Sequence, residues 1–169
     1  MTGRQLGFEK SGKTVCDAPV LLSVQNCSLK HPLFRFSNIV NDVSFNLHKG
    51  EILGVYGLMG AGRTELMETL FGLHPKNGSG TIAVNNKAVK IKSPAEAIAA
   101  GIALVPEDRK LHGLVLNQTI KSNISITVLK QLERWGLLLN SGKEKELSKK
   151  YIDQLGIKTA SDTAAAKSL

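Results

Sequence analysis

Long apolar runs are missing from this chain. Across 169 residues no stretch approaches the roughly 18 consecutive apolar residues that a membrane-spanning helix needs. The longest candidate, Ala97 to Val105, is short and is interrupted by Gly101. The N-terminal stretch is mostly polar and lacks an apolar centre, so it does not read as a secretory signal. Cysteine is scarce. Cys16 and Cys27 have no metal-ligand spacing, and two cysteines make no disulfide framework; both read as reduced thiols. Aromatic residues are few and do not interleave with basic ones as a base-stacking platform requires. No internal repeat or low-complexity block is present. What remains is a globular chain of one-domain length, expected to be cytoplasmic.

Positive charge, by contrast, is in excess, at a formal net +8. A basic balance fits nucleic acid or an anionic membrane surface. Lysine and arginine are spread over the whole chain, however, which fits a solvated surface or docking on the cytoplasmic side of a membrane complex. No nucleic-acid partner is expected.

The most informative stretch is Gly57-Leu58-Met59-Gly60-Ala61-Gly62-Arg63-Thr64. It follows the apolar run Ile52 to Tyr56 and precedes a helix-patterned run, Glu65 to Phe71. Strand, glycine-rich turn, helix is the context of a phosphate-binding loop. Glycines allow close backbone approach to phosphate, and the helix N-terminus adds a positive dipole end. Thr64 stands where such loops place a hydroxyl on Mg²⁺. Arg63 stands where the motif asks for lysine; it keeps the charge on a bulkier, planar head.

The rest of the chain falls in order around this loop. Residues 1–18 read as a polar tail or linker. Val20–Cys27 and Asp42–Leu47 read as strands, and Glu51–Tyr56 as a buried strand feeding the loop. Gly72 stops the loop helix, Gly78-Ser79-Gly80 reads as a turn, and Asn85-Asn86 joins the strands Thr81–Val84 and Lys87–Val89. Ser93-Pro94-Ala95-Glu96 is a capping box whose helix stops at Gly101. Ile102–Val105 is a second buried strand, pointing Glu107, Asp108 and Arg109 towards the ligand side of an open α/β sheet. Beyond Lys110 the pattern is helical. Thr119–Leu132 is rich in β-branched residues and is assigned to helix. Ser141-Gly142-Lys143-Glu144 is another capping box, followed by Leu147, Tyr151, Ile152 and Leu155 on one face and by Gly156 as the stop.

Several of these segments resemble one family. They are Asn41-Asp42-Val43-Ser44-Phe45, Lys49-Gly50-Glu51-Ile52-Leu53-Gly54, the glycine loop through Glu65-Leu66, and Pro106-Glu107-Asp108-Arg109-Lys110 with Gly113-Leu114. The chain is similar, from about Val20 to Leu169, to the ATP-binding subunits of bacterial sugar importers of the ATP-binding-cassette (ABC) type. The likeness is to the second nucleotide-binding domain of the tandem, where an arginine at position 63 is usual. The fold implied is an α/β P-loop NTPase of the ABC-transporter ATPase type, with an antiparallel β-subdomain and the start of a helical subdomain. Residues 19–109 would form the β-subdomain and the P-loop part of the core, and 110–169 the helical subdomain.

The resemblance also implies roles. Gly57, Gly60, Ala61, Gly62, Arg63, Thr64 and Glu65 would bind the nucleotide, with Thr64 and Glu107 at Mg²⁺ and Phe34, or Phe36 second, stacking on adenine. Glu107 falls where most such domains carry a γ-phosphate-sensing glutamine; its alternative is a solvated loop acid. The cofactors implied are ATP and Mg²⁺. The partners implied are the first nucleotide-binding domain, the transmembrane permease subunits and, indirectly, a sugar-binding protein, at the inner face of the cell membrane. The signature loop, the Walker B aspartate, the water-positioning glutamate and the switch histidine would follow Leu169, so the chain is expected to be a fragment with an incomplete core sheet. Ile52–Tyr56 and Ile102–Val105 would then lack strand partners, leaving apolar edges open to self-association. Weak nucleotide binding without turnover is expected. The alternatives are a non-catalytic nucleotide-binding or assembly module, for which Arg63 and Glu107 speak, and a small kinase or GTPase, for which Asp108 is the only candidate second metal-binding aspartate.

Overall fold

The structure is a computed structural model describing residues 18–34, 36–134 and 138–168. The tail from 1 to 17, including Cys16, and Leu169 lie outside the described residues. The chain divides into two compact units, one ending at Leu104 and the other starting at Val105.

The first unit is built on an antiparallel sheet of order β2-β1-β3-β4, with β1 Val20–Lys30, β2 Asn38–His48, β3 Gly78–Val84 and β4 Lys87–Val89. Val24, Cys27 and Leu29 of β1 and Val40 of β2 are buried against Leu66 and Leu70 of helix α1, Arg63–Leu70. A strict two-residue alternation would turn either Val24 or Cys27 outward. A bulge resolves the conflict: the β1–β2 register shifts between Val24 and Cys27, and Asn26 takes a φ of 52°. Asp42 opposite has a φ of 50°, and Asn26 Nδ2 donates to Asp42 Oδ1 at 2.7 Å. Asn and Asp tolerate the left-handed region better than other non-glycine residues, which explains their place here.

The Asn85-Asn86 hairpin forms as expected, with φ of 50° and 61°, the type I′ geometry that matches strand twist. The expected turn at Gly78-Ser79-Gly80 does not form. These residues extend β3, with Ser79 opposite Ser28 and Gly78 opposite Leu29. Gly80 sits at φ 121°, facing the β1 bulge, where an added Cβ would lie 2.8 Å from Cys27 Cα. Helix α2, Pro94–Ala99, starts as expected at Ser93, whose Oγ accepts from Glu96 N–H. In return, Lys92 N–H donates to Glu96 Oε2 at 2.6 Å.

The two strands expected on either side of the nucleotide loop are absent. Residues 51–57 and 102–106 form no ladder and no helix. Ile52 and Tyr56 are 98% and 96% exposed, and Val105 is 90% exposed. A strand forms only where a neighbour takes up its N–H and C=O groups. Among the described residues nothing pairs with these segments, so they form no sheet edge, and several of their apolar side chains are exposed.

In the second unit, Asp108 Oδ1 accepts from the N–H groups of Lys110 and Leu111 and starts a single wide helical turn, Arg109–Gly113. Thr119 caps α3, Ile120–Ser125, and the chain continues through a tight turn into α4, Leu129–Leu132, so Thr119–Leu132 is largely helical. Two-residue strands, β5 Glu133–Arg134 and β6 Leu138–Leu139, pair before α5, Ser141–Leu155. The cap of α5 is Asn140, not the expected Ser141: Asn140 Oδ1 accepts from Lys143 N–H at 3.1 Å. Glu144 faces inward instead of closing a capping box, accepting from Ser125 Oγ at 2.8 Å and pairing with Lys121 Nζ at 3.3 Å. Glu144 and Ser148 are the buried residues of α5, whereas Leu155, expected on the buried face, is 72% exposed. Gly156 ends the helix in the left-handed conformation, as the sequence predicts.

Candidate functional site

The glycine loop lies in the first unit, between the non-laddered segment 51–57 and α1. Gly60 and Gly62 both have a φ of 79°, which only glycine adopts without cost. They bend the chain sharply enough for Gly62 to become the N-cap of α1, and Leu66 N–H closes the first helical bond to Gly62 O at 2.8 Å. Gly62 has no side chain with which to cap, so the first N–H groups of α1 have no side-chain acceptor at the cap. The sequence thus creates donors at the site and a positive dipole end, on an eight-residue helix.

The three glycines of the loop act differently. A Cβ on Gly62 would lie 2.6 Å from Ile39 O, so this glycine also seats the loop against β2. A Cβ on Gly60 would meet nothing within 4 Å, so its need is conformational alone. At Gly57 a Cβ would stand 3.2 Å from Ala61 Cβ and 3.6 Å from Arg63 Cδ. The Arg63 stem therefore passes beside Gly57. Ala61 N–H donates to Leu58 O at 3.1 Å, so this amide is engaged within the turn. Arg63 and Thr64 are exposed, and Glu65 is half-buried in the first turn of α1.

Phe34 lies on the loop joining β1 and β2, also in the first unit, and is 63% exposed. Its ring tilts against His31 at a centroid distance of 4.7 Å. His31 Nδ1 accepts from the N–H groups of Leu33 and Phe34, which holds this loop in place. Phe36, the second candidate, is fully exposed. Glu107 belongs to the second unit and is exposed, directly ahead of the Asp108 cap. Asp108 has its carboxyl held below the ordinary 3.8, chiefly by the hydrogen bond from Leu111 N–H, then by Lys110 N–H and the nearby His112 and Lys110 charges. Its hydrogen bonds make it the cap of its own turn.

The loop suits phosphate by geometry: two left-handed glycines, a helix N-terminus and one cation. Among the described residues no group of three or more His, Cys, Asp or Glu side chains is placed to hold a metal. Sequence reasoning found the loop but not Ile39, whose carbonyl dictates glycine at 62; no local pattern marks a contact between residues so far apart in the chain.

Comparison with known proteins bears on this geometry. Residues 40–169 match the ABC transporter family. The chain is 41% identical over 161 residues, 95% of its length and 31% of the relative's, to the ribose import ATP-binding protein RbsA of Rhodopirellula baltica. It is 44% identical over 171 residues, covering all of this chain and 33% of the relative, to the xylose import ATP-binding protein XylG of Ralstonia nicotianae. XylG of Escherichia coli K12 is 38% identical over 98% of the chain. The chain thus spans about a third of the length of the curated relatives it matches. A crystal structure of a nucleotide-free ATP-binding cassette from an ABC transporter superimposes with a TM-score of 0.63 at 22% identity, over 89% of this chain and 59% of that one. That likeness establishes the fold alone. Joined to the family match over most of the sequence and to the glycine-loop geometry, it leads to one assignment: the chain belongs to the ABC transporter family, as an ATP-binding domain with that family's ATPase fold.

Proposed function

We propose that this chain is the nucleotide-binding part of an ATPase subunit that drives carbohydrate import, and that it corresponds to the second domain of a tandem pair. The observation that carries the reading is the left-handed turn at Gly60 and Gly62 running straight into the N-terminus of α1. Relatives named for ribose and xylose import support the carbohydrate class, and Arg63 supports the second domain. Residues 19–109 supply the β-subdomain and the phosphate loop, and 110–169 the helical subdomain facing a permease. The other partners are the first nucleotide-binding domain and, at one remove, a sugar-binding protein, at the inner face of the cell membrane.

Gly57, Gly60, Ala61 and Gly62 hold phosphate through main-chain N–H groups, after Ala61 N–H releases Leu58 O. Arg63 places its guanidinium on phosphate oxygens, and Glu65 sits in the first turn beside it. Thr64 supplies its hydroxyl oxygen to Mg²⁺, which would neutralise phosphate charge when bound; Glu107, in the second unit, is taken as a metal-ligand candidate from the family resemblance alone. Phe34 offers an exposed ring to adenine. By itself the 169-residue chain binds nucleotide weakly and does not turn it over.

Titration with a fluorescent ATP analogue tests this, with saturable binding in the wild type and loss in Arg63→Ala as the expected result. Steady-state phosphate release that disappears in Thr64→Ala would refute the absence of turnover. A second reading, a non-catalytic assembly module, is favoured by the exposed apolar row Ile52 to Tyr56. Self-association that survives without nucleotide and is abolished by Ile52→Lys, seen by analytical ultracentrifugation, would support it.

A further inference from the structure

The first unit has a recess away from the glycine loop. It measures about 200 Å³ and opens between β3, the segment leaving β4 and the turn after α1, and no residue of Gly57–Thr64 lines it. Its lining carries two lysines. Lys90, Lys92 and His74 contribute to it, and no aspartate or glutamate does. Glu68 holds His74 at 2.8 Å, while neither lysine has a carboxylate within salt-bridge distance among the described residues. Two unpaired ammonium groups beside one recess repel each other, and an anion between them reverses the sign of that interaction.

The same recess offers hydrogen-bond donors. Thr81 lines it, as does Ser79, whose Oγ donates to Ser28 O at 3.5 Å and must turn to reach a ligand. β4 ends at Val89, opposite Ile82, so the edge of β3 from Gly78 to Thr81 has no strand beside it on that side. An open strand edge presents main-chain groups without a ladder partner; Gly78 N–H donates to His74 O at 2.9 Å, which leaves the stretch from Ser79 to Thr81. The wall is also preformed. A Cβ on Gly78 would lie 2.9 Å from Thr69 Cγ2 and 3.0 Å from His74 O, so strand and turn pack at the closest approach that glycine allows. A site that needs no rearrangement binds without the cost of ordering itself.

We propose that this recess binds a small soluble organic phosphate, with Lys90 and Lys92 on the phosphate and the β3 edge on the remainder of the molecule. A phosphate monoester carries close to two negative charges at neutral pH and matches two lysines, whereas a single carboxylate does not. A bare phosphate ion fills only part of the recess, since roughly 10–15 Å³ of such space already holds one water.

The test is a ¹⁵N-resolved NMR titration of the 169-residue chain with ribose 5-phosphate, a probe of suitable size and charge, against unphosphorylated ribose. The expected result is saturable shifts of residues 79–92 with the phosphate and none with ribose. They persist in Arg63→Ala, which separates this site from the glycine loop. They weaken at least about tenfold in the exposed double variant Lys90→Gln/Lys92→Gln, and recover in Lys90→Arg/Lys92→Arg. Shifts confined to residues 57–64, unchanged affinity in the glutamine variant, or a response that never saturates would each overturn the proposal.

Discussion

Alanine at Gly62 and alanine at Gly60 impose the same backbone penalty but different contacts, and the pair measures how tightly the phosphate loop is bound to the sheet. Both glycines sit at φ 79°. Holding a non-glycine residue in the left-handed region costs about 1–2 kcal/mol. At Gly60 the added methyl meets nothing within 4 Å, so Gly60→Ala is expected to destabilise by about that amount. At Gly62 it meets Ile39 O at 2.6 Å, Ile39 C at 3.3 Å and Val40 Cγ2 at 3.4 Å. The first two are main-chain atoms of β2, which cannot swing aside as the end of a long side chain does. Overpacking of this kind adds about 1–3 kcal/mol, so Gly62→Ala is expected to cost about 2–5 kcal/mol in total. Urea denaturation of wild type and both variants, compared at equal m-value, gives the difference directly. Equal destabilisation of the two variants, or a smaller effect at Gly62, would refute the seating of the loop against β2.

Other outcomes follow from the same geometry. Glu144→Ala removes the carboxylate that pairs with Lys121 Nζ and leaves Ser125 Oγ with Ser122 O alone, and is expected to cost about 1–3 kcal/mol in chemical denaturation, whereas Glu146→Ala, on the exposed face of α5, costs under about 0.5 kcal/mol. Asp108 is expected to titrate below 3.8 in an NMR pH series. Because its folded pKa is depressed, its contribution to the 109–113 turn is present above the ordinary value and is lost as pH falls through the lowered one; a midpoint at or above 3.8 contradicts the cap. Burial pushes the Cys27 thiol up from 9.0, so the folded chain holds that proton longer than the unfolded chain, and this contribution to stability declines as pH rises past 9.0. Peptide mapping after iodoacetamide at pH 8 is expected to find Cys27 unmodified in the folded protein and alkylated in urea.

Features governed by a few consecutive residues were legible from the sequence. Asn85-Asn86 can hold two positive φ values in a row, so the hairpin was plain. Ser93 before Pro94 marked the start of α2, and Gly72, Gly101 and Gly156, all at positive φ, marked turns or stops. The phosphate loop was legible for the same reason, since its geometry is written in its own glycines. Gly78 to Gly80 misled because glycine signals a turn and a close approach equally well, and only the β1 bulge across the sheet distinguishes the two. At the start of α5 both Asn140 and Ser141 satisfy the local rule for a cap. The choice between them was made by Ser125 and Lys121, which draw Glu144 inward from another helix.

The sequence by itself determined the turns, the caps and the phosphate loop, because each is a conformational preference of adjacent residues and needs no distant partner. It also carried the family, through motifs spread from Asn41 to Leu114. Tertiary structure alone decided which apolar segments become strands. Ile52–Tyr56 and Ile102–Val105 have the composition of buried strands, yet among the described residues they find no ladder neighbour and remain exposed. Tertiary structure likewise decided that Gly62 must be glycine for the sake of Ile39, and that lysines 90 and 92 stand beside one recess. A strand, a close backbone contact and a pocket are relations between distant residues, and such relations exist only once the chain has folded.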